Sequence, residues 1–312
     1  MATDNRTLLQ KVDTTLAQIA AGGLLQEGQV DRFIVLAINQ PVMMKQVLVT
    51  PMKNQTEERD KMRFAGRVLR RGLEATALPL ANRSAPTFSL FNLTSVLYRA
   101  EVRITDEVLE DQIERGAFKD TVMTELAKAI GRDMEFVAIQ GDVASADDLL
   151  ATQNGWVQRA TANQVAGGVA QLNQALVRDA LTALPDEFTD MDKLRYYTNI
   201  HAAIRYNDDV RANRVSSALG DAALEGKWKA NYYGVPIEGI PEFPAALGGG
   251  LNETVVLLTD PKNLALGFQR KVRLGVQRDE PAGVTIIVAT VRFAVAIVEV
   301  AAAARINAVL GV

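Results

Sequence analysis

Apolar residues at intervals of three and four run from residue 118 to residue 139. Val122, Leu126, Ile130, Met134 and Val137 fall on one side of a helix of about 20 residues, roughly 30 Å long. "GDVASADD" closes it. Elsewhere the period is two. "LYRAEVRIT" sets Tyr98, Ala100, Val102 and Ile104 against Arg99, Glu101 and Arg103, the alternation of a half-buried strand. In the same way Val272, Leu274 and Val276 alternate with Lys271, Arg273 and Gln277, so a second strand carries a basic polar face. Thr259, Asp260 and Pro261 supply the turn ahead of it. "VTIIVATVRFAVAIVEVAAAA", residues 284 to 304, is nearly continuous in apolar residues. Arg292 sits mid-run, where it would cost about 2.5 to 3.5 kcal/mol in a bilayer. The β-branched residues suit a strand, and Ile287, Val291, Phe293, Val295 and Ile297 make its bulkier side, so the run is read as a buried central strand.

Between these elements the pattern weakens. "VLVTPM" reads as a strand, and "KNQTEERDKMRFAGRVLRRG" is a charged excursion with few core residues. A loop of about 45 residues without its own core is unusual inside a compact domain, so this one is expected to project. Residues 30 to 45 carry apolar positions at helical spacing before Pro41, and residues 1 to 29 read as a polar arm. Thr105 is a plausible N-cap, with Asp106 and Glu107 complementing a helix dipole ahead of Val108, Leu109 and Ile113. Farther on, "VAQLNQALVRDALTALP" is amphipathic through Val169, Leu172, Leu176, Leu181 and Leu184, and Pro185 ends it. "KLRYYT" reads as a strand, "NIHAAIRYNDDVRANRVSSALG" as a helix and "YYGVPIEGIPEFP" as short strand pieces. The mixture is α+β.

Composition narrows the chemistry. At 312 residues with 48% hydrophobic and 23% charged content the chain has material for a real core, and neither disorder nor a fibrous repeat is indicated. A net charge of -3 and a pI near 5.5 argue against a dedicated nucleic-acid binder, whose affinity rests on Lys and Arg. The absence of Cys removes disulfides, thiolate catalysis and cysteine metal sites. The N-terminal residues lack the uninterrupted apolar run of a signal peptide, so the product is expected in the cytoplasm. His201 has no second imidazole with which to build a metal cluster or a triad. "ALGGGLNET" lacks the Lys-Ser/Thr of a P-loop. Asp106, Glu107, Glu110, Asp111 and Glu114 could supply a glycosidase pair, but a solvated face beside a helix start explains them more simply. Arg67, Arg70 and Arg71 suit a phosphate or a protein contact. No catalytic, cofactor-binding or metal residue is assigned, and no cofactor is expected.

A soluble core, a projecting loop, an arm and no active site fit a protein whose work is contact. The order "LYRAEVRITDEVLED", "FVAIQGD", "ALGDAALEGKWKANYYGVPIEGIPEFP", "VVLLTDPKNLALGFQRKVRLGVQRDE" and "IIVATVRFAVAIVE" resembles the major capsid proteins of tailed bacteriophages, the Hong Kong phage fold. The resemblance covers about residues 30 to 300. It implies an N-arm over residues 1 to 35 and an extended E-loop with its base over 36 to 104. A peripheral domain with a long spine helix would occupy 105 to 159, an axial domain 160 to 254, and peripheral strands and C-terminus 255 to 312. It further implies pentamers and hexamers closing into an icosahedral shell around a phage genome, with the E-loop lying over an adjacent subunit. Arg67, Arg70 and Arg71 would then meet Glu107, Glu110, Asp111 and Glu114 between subunits, and Lys271 and Arg273 would lie at a surface open to a neighbour. A separate scaffolding protein, a portal and a decoration protein are the implied partners, with weak non-specific contacts to packaged DNA and no membrane. The implied location is the virion, after assembly in the host cytoplasm. Two other readings are the shell of a cellular encapsulating compartment and a carboxylate-dependent hydrolase.

Overall fold

The computed structural model describes residues 41–64, 67–72, 77–105, 118–213, 230–243, 252–279, 281 and 283–311. Two sheets and a ribbon carry the chain. The four-stranded sheet runs in the order β1, β10, β11, β4, built from β1 (Leu48–Pro51), β10 (Leu264–Asp279), β11 (Val284–Ile297) and β4 (Val96–Thr105). β11 is central as expected and antiparallel to both neighbours, but the expected run to residue 304 breaks after Ile297: Val300–Ala302 form a 3-10 turn, and Ala303 begins a strand of the second sheet. Its odd positions Ile287, Val291, Phe293, Val295 and Ile297 are buried in one cluster.

That cluster lies under α1 (Phe118–Gln140), which contributes Ile130, Met134 and Val137, with Val122 and Leu126 packed at its margin. Tyr98 stacks on Phe293 at 4.5 Å between ring centroids. The helix stops where another stretch of backbone crosses it. Gly155 N donates to Gly141 O at 2.8 Å, and α2 (Trp156–Arg159) starts there. Trp156 is fully buried and its indole Nε1 donates to Ala296 O at 3.1 Å, tying this crossing to β11.

The six-stranded sheet has the order β5, β12, β9, β6, β8, β7. Its members are β5 (Asn163–Ala170), β6 (Arg195–Thr198), β7 (Asn231–Tyr232), β8 (Val235–Gly239), β9 (Glu253–Thr259) and β12 (Ala303–Leu310). α3 (Gln174–Ala183) and α4 (Ile200–Asn213) supply apolar residues to its core. Two expectations change here. Val169 does not open a helix: it sits in β5 at φ 57° and half exposed, and α3 starts after Asn173, whose side chain accepts Leu176 N. The division at residue 254 also cuts across a sheet, because β9 and β12 pair with each other and, through β12, with β5.

The expected structureless loop is instead a ribbon. β2 (Thr56–Phe64) and β3 (Pro86–Thr94) pair antiparallel from Thr56 opposite Thr94 to Phe64 opposite Pro86. It does project: most of its residues are exposed, and only Leu93 is fully buried. The expected helices within 30–40 and 106–116, and the residues after Asn213 to 229, lie outside the described residues.

Candidate subunit interface

The ribbon is rooted on the four-stranded sheet, on the face opposite α1. Met52 and Leu93, with Phe91 beside them, pack on Ala265, Ala294 and Ala296. Small residues are needed there: a Cβ on Gly267 would come within 2.5 Å of Met52 Sδ. From this root the ribbon runs toward the end of β11. Lys61 Nζ donates to Val298 O at 2.5 Å and pairs with Glu299 at 3.1 Å. Farther out Arg63 pairs with Glu187, and its guanidinium lies 5.4 Å from the Phe188 ring centre. These contacts use the inward face of β2. Its outward face carries Glu58, Asp60 and Met62, set opposite Asn92, Leu90 and Phe88 of β3. Met62 is 62% exposed, Phe88 68% and Leu90 56%, an apolar patch of a kind that marks contact surfaces.

Arg67, Arg70 and Arg71 lie beyond β2, exposed and outside regular structure, and none pairs with an acid among the described residues. The acidic run Glu107, Glu110, Asp111 and Glu114 lies outside the described residues, so the two groups are not brought together here. Arg273 is exposed in β10, opposite Thr290 of β11. Lys271 lies in the irregular step between Arg270 and Arg273. β1 covers β10 only from Ala265 to Phe268, so beyond that point β10 has a free edge among the described residues.

Sequence reasoning missed a larger basic surface. On the sheet face that holds the ribbon's root, Arg270 stands directly opposite Arg292, and the next row sets Arg273, Thr290 and Arg99 side by side. The signal is register: these arginines lie on three strands, and only the pairing aligns them.

Glu135 of α1 is 3% exposed, and its Oε1 accepts Met43 N at 2.5 Å and Met44 N at 3.3 Å. It thereby fastens the chain just ahead of β1. Burial raises its pKa above the ordinary 4.5, the backbone donors pull it down, and Glu242 pushes it up. A carboxyl with a raised folded pKa favours the folded state at low pH, and that contribution is lost as pH rises through the folded value. Glu135→Gln keeps an acceptor but cannot titrate. The melting temperature of the natural chain relative to this variant should therefore fall as pH is raised from about 4 to about 8.

Among the described residues no three His, Asp or Glu side chains are grouped to hold a metal, and no helix is long and apolar enough to cross a membrane. His201 is exposed on α4. No protein-family profile matches the chain. Its fold is that of phage capsid subunits. It superposes on a chain of the satellite phage P4 procapsid with TM-score 0.67, covering 99% of this chain and 98% of the other at 11% identity. The same fold appears in the SrpI encapsulin complex of Synechococcus elongatus PCC 7942, with TM-score 0.58, 10% identity and coverage of 99% and 97%. In sequence it is 31% identical over 293 residues to the putative prophage capsid protein YqbE of Bacillus subtilis (strain 168), covering 92% of this chain and 93% of the relative. The chain belongs to this prophage capsid family. It is a structural protein of the virion and not an enzyme.

Proposed function

We infer that the chain is the major capsid protein of a tailed phage or prophage, forming the pentamers and hexamers of an icosahedral shell that encloses the genome. The observation that carries this reading is the similarity to a capsid protein over nearly the whole of both chains. In this assignment α1 is the spine helix of the peripheral domain, and β4, β10 and β11 form its sheet. The six-stranded sheet with α3 and α4 belongs to the axial domain, which meets its copies around fivefold and sixfold axes. Residues 1 to 35 form the N-arm, and the ribbon of β2 and β3 is the E-loop. A separate scaffolding protein, a portal and a decoration protein complete the particle, which assembles in the host cytoplasm and touches DNA only weakly and non-specifically.

At the ribbon's end Arg67, Arg70 and Arg71 meet Glu107, Glu110, Asp111 and Glu114 of an adjacent copy, while Lys271 and Arg273 line the free edge of β10. Each exposed pair contributes only about 0 to 1 kcal/mol, and repetition over a closed shell multiplies it. Purified chain should appear in negative stain as capsomers, sheets or shells, and assembly should weaken as the Debye length shrinks from about 10 Å at 0.1 M salt to 3 Å at 1 M. Arg70→Glu with Arg71→Glu should abolish light scattering at low salt and leave circular dichroism unchanged, and Glu110→Arg with Glu114→Arg should restore part of it. A monodisperse monomer across salt and pH would overturn the shell reading. Particles filled with protein cargo and no DNA would move it to an encapsulating compartment, whose fold is shared.

A further inference from the structure

Arg270 and Arg292 face each other across two strands, and like charges directly opposite destabilise a sheet. Arg273 and Arg99 flank Thr290 in the neighbouring row, so four guanidinium groups occupy two adjacent rows of one face. None of the four pairs with a carboxylate among the described residues; the nearest acid on this face of β4, Glu101, is engaged with Arg103 at 2.8 Å. The cluster calls for an anion that this chain's described residues do not supply. Its own ribbon cannot supply one, because from Ala294 and Ala296 it leads toward Val298, Glu299 and Glu187, away from Arg292 and Thr290.

The same ribbon carries the complement on its outward face. Glu58 and Asp60 are exposed, share that face, and have no ion pair among the described residues. Two residues apart along a strand, they stand about 6.5 to 7 Å from each other, the same interval that separates the two arginine rows. Beside them Met62, Phe88 and Leu90 offer apolar surface. Half-exposed Leu97 continues the row of Arg270 and Arg292. Within one chain the ribbon leads away from the arginine rows, so its outward face and the rows meet only between copies, in a head-to-tail contact that closes into a ring or runs on as an open array.

We propose that the outward face of the β2–β3 ribbon of one copy docks on the arginine rows of the next, Glu58 and Asp60 entering among Arg99, Arg270, Arg273 and Arg292. This rests on the shell reading and specifies which faces of the two elements join. It is separate from the contact at the ribbon's end, since it uses no residue of that contact except Arg273.

The test is assembly of the full chain, followed by light scattering and negative stain at about 0.1 M salt. Glu58→Arg with Asp60→Arg sets cation against cation, and Arg99→Glu with Arg273→Glu sets acid against acid. All four positions are exposed, so both variants should keep the natural circular dichroism and melting temperature while the concentration needed for assembly rises about tenfold or more. The chain carrying all four changes restores opposite charges and should assemble within about threefold of the natural chain. Phe88→Ser, which leaves every charge in place, should also raise that concentration. If both reversals assemble normally while Arg70→Glu with Arg71→Glu does not, the docking proposed here is wrong and the shell reading stands. If the reversals block assembly and the fourfold exchange brings none of it back, the arginines act elsewhere and the proposal fails too. A natural chain that never assembles removes both.

Discussion

Trp156→Ala should remove about a third or more of the stability of this fold. The side chain is fully buried at the point where the chain crosses the end of α1, and its Nε1 holds Ala296 O of the central strand. Truncating a buried Trp costs about 3 to 5 kcal/mol through lost transfer energy and the cavity left behind. The total stability of a domain is only about 5 to 15 kcal/mol. The carbonyl left without its donor adds to the loss. Trp156→Phe keeps most of the apolar volume and loses only the hydrogen bond, so its penalty should be about 1 to 2 kcal/mol. Urea denaturation of the three proteins checks the order. An alanine variant as stable as the natural chain would mean that the crossing does not depend on this residue.

Gly155→Ala should be nearly as damaging for a different reason. The backbone there is extended, at φ -78° and ψ 179°, so alanine meets no conformational objection. Space is the objection. A Cβ would lie 2.7 Å from Ile139 O, 2.8 Å from Ala138 O and 2.8 Å from Gly141 N, all backbone atoms that no rotamer change can move. Relieving them means parting the end of α1 from the strand that crosses it and breaking the bond from Gly155 N to Gly141 O. Overpacking typically costs about 1 to 3 kcal/mol and occasionally more, and this case belongs at the upper end. In chains of this size each kcal/mol lowers the melting temperature by roughly 2 to 4 °C, so a calorimetric scan should show a fall of about 6 °C or more. Gly168→Ala is the control for the opposite case, since nothing lies within 4 Å of its Cβ position and only its φ of 62° opposes the change.

The elements that were legible in the sequence are those whose contrast between core and solvent is settled within one chain. α1 and β11 each bury one stripe against the other, so their periods survive in the residues. The ribbon reads as a loop because neither of its faces behaves that way: the inward face of β2 is charged, Phe91 and Leu93 face inward only at the root, and Met62, Phe88 and Leu90 lie on the outward face beside Glu58 and Asp60. A pattern addressed to another copy looks like noise in a single sequence. β12 was hidden in "AAAARINAVL", where alanines blur the alternation, and Val169 extended a helical spacing that Gly167 and Gly168 in fact interrupt. The basic surface was half legible. Arg273 stood out beside Lys271, but Arg99 and Arg292 lie in other segments, and only strand register draws them to the same rows.

The position of β12 bears on when a subunit becomes usable. It lies between β5 and β9, joining strands made more than a hundred residues before it to strands made much later. A chain whose synthesis stops before residue 303 therefore has its second sheet divided, with β5 left without its neighbour. Such a fragment still contains the ribbon and every arginine of the cluster, the parts that could enter a growing lattice. What it lacks is an intact second sheet to set beside them, so an aborted translation product is a poor competitor for a place in the particle. Putting a strand made well after its partners in the middle of a sheet makes synthesis past that strand a condition of incorporation.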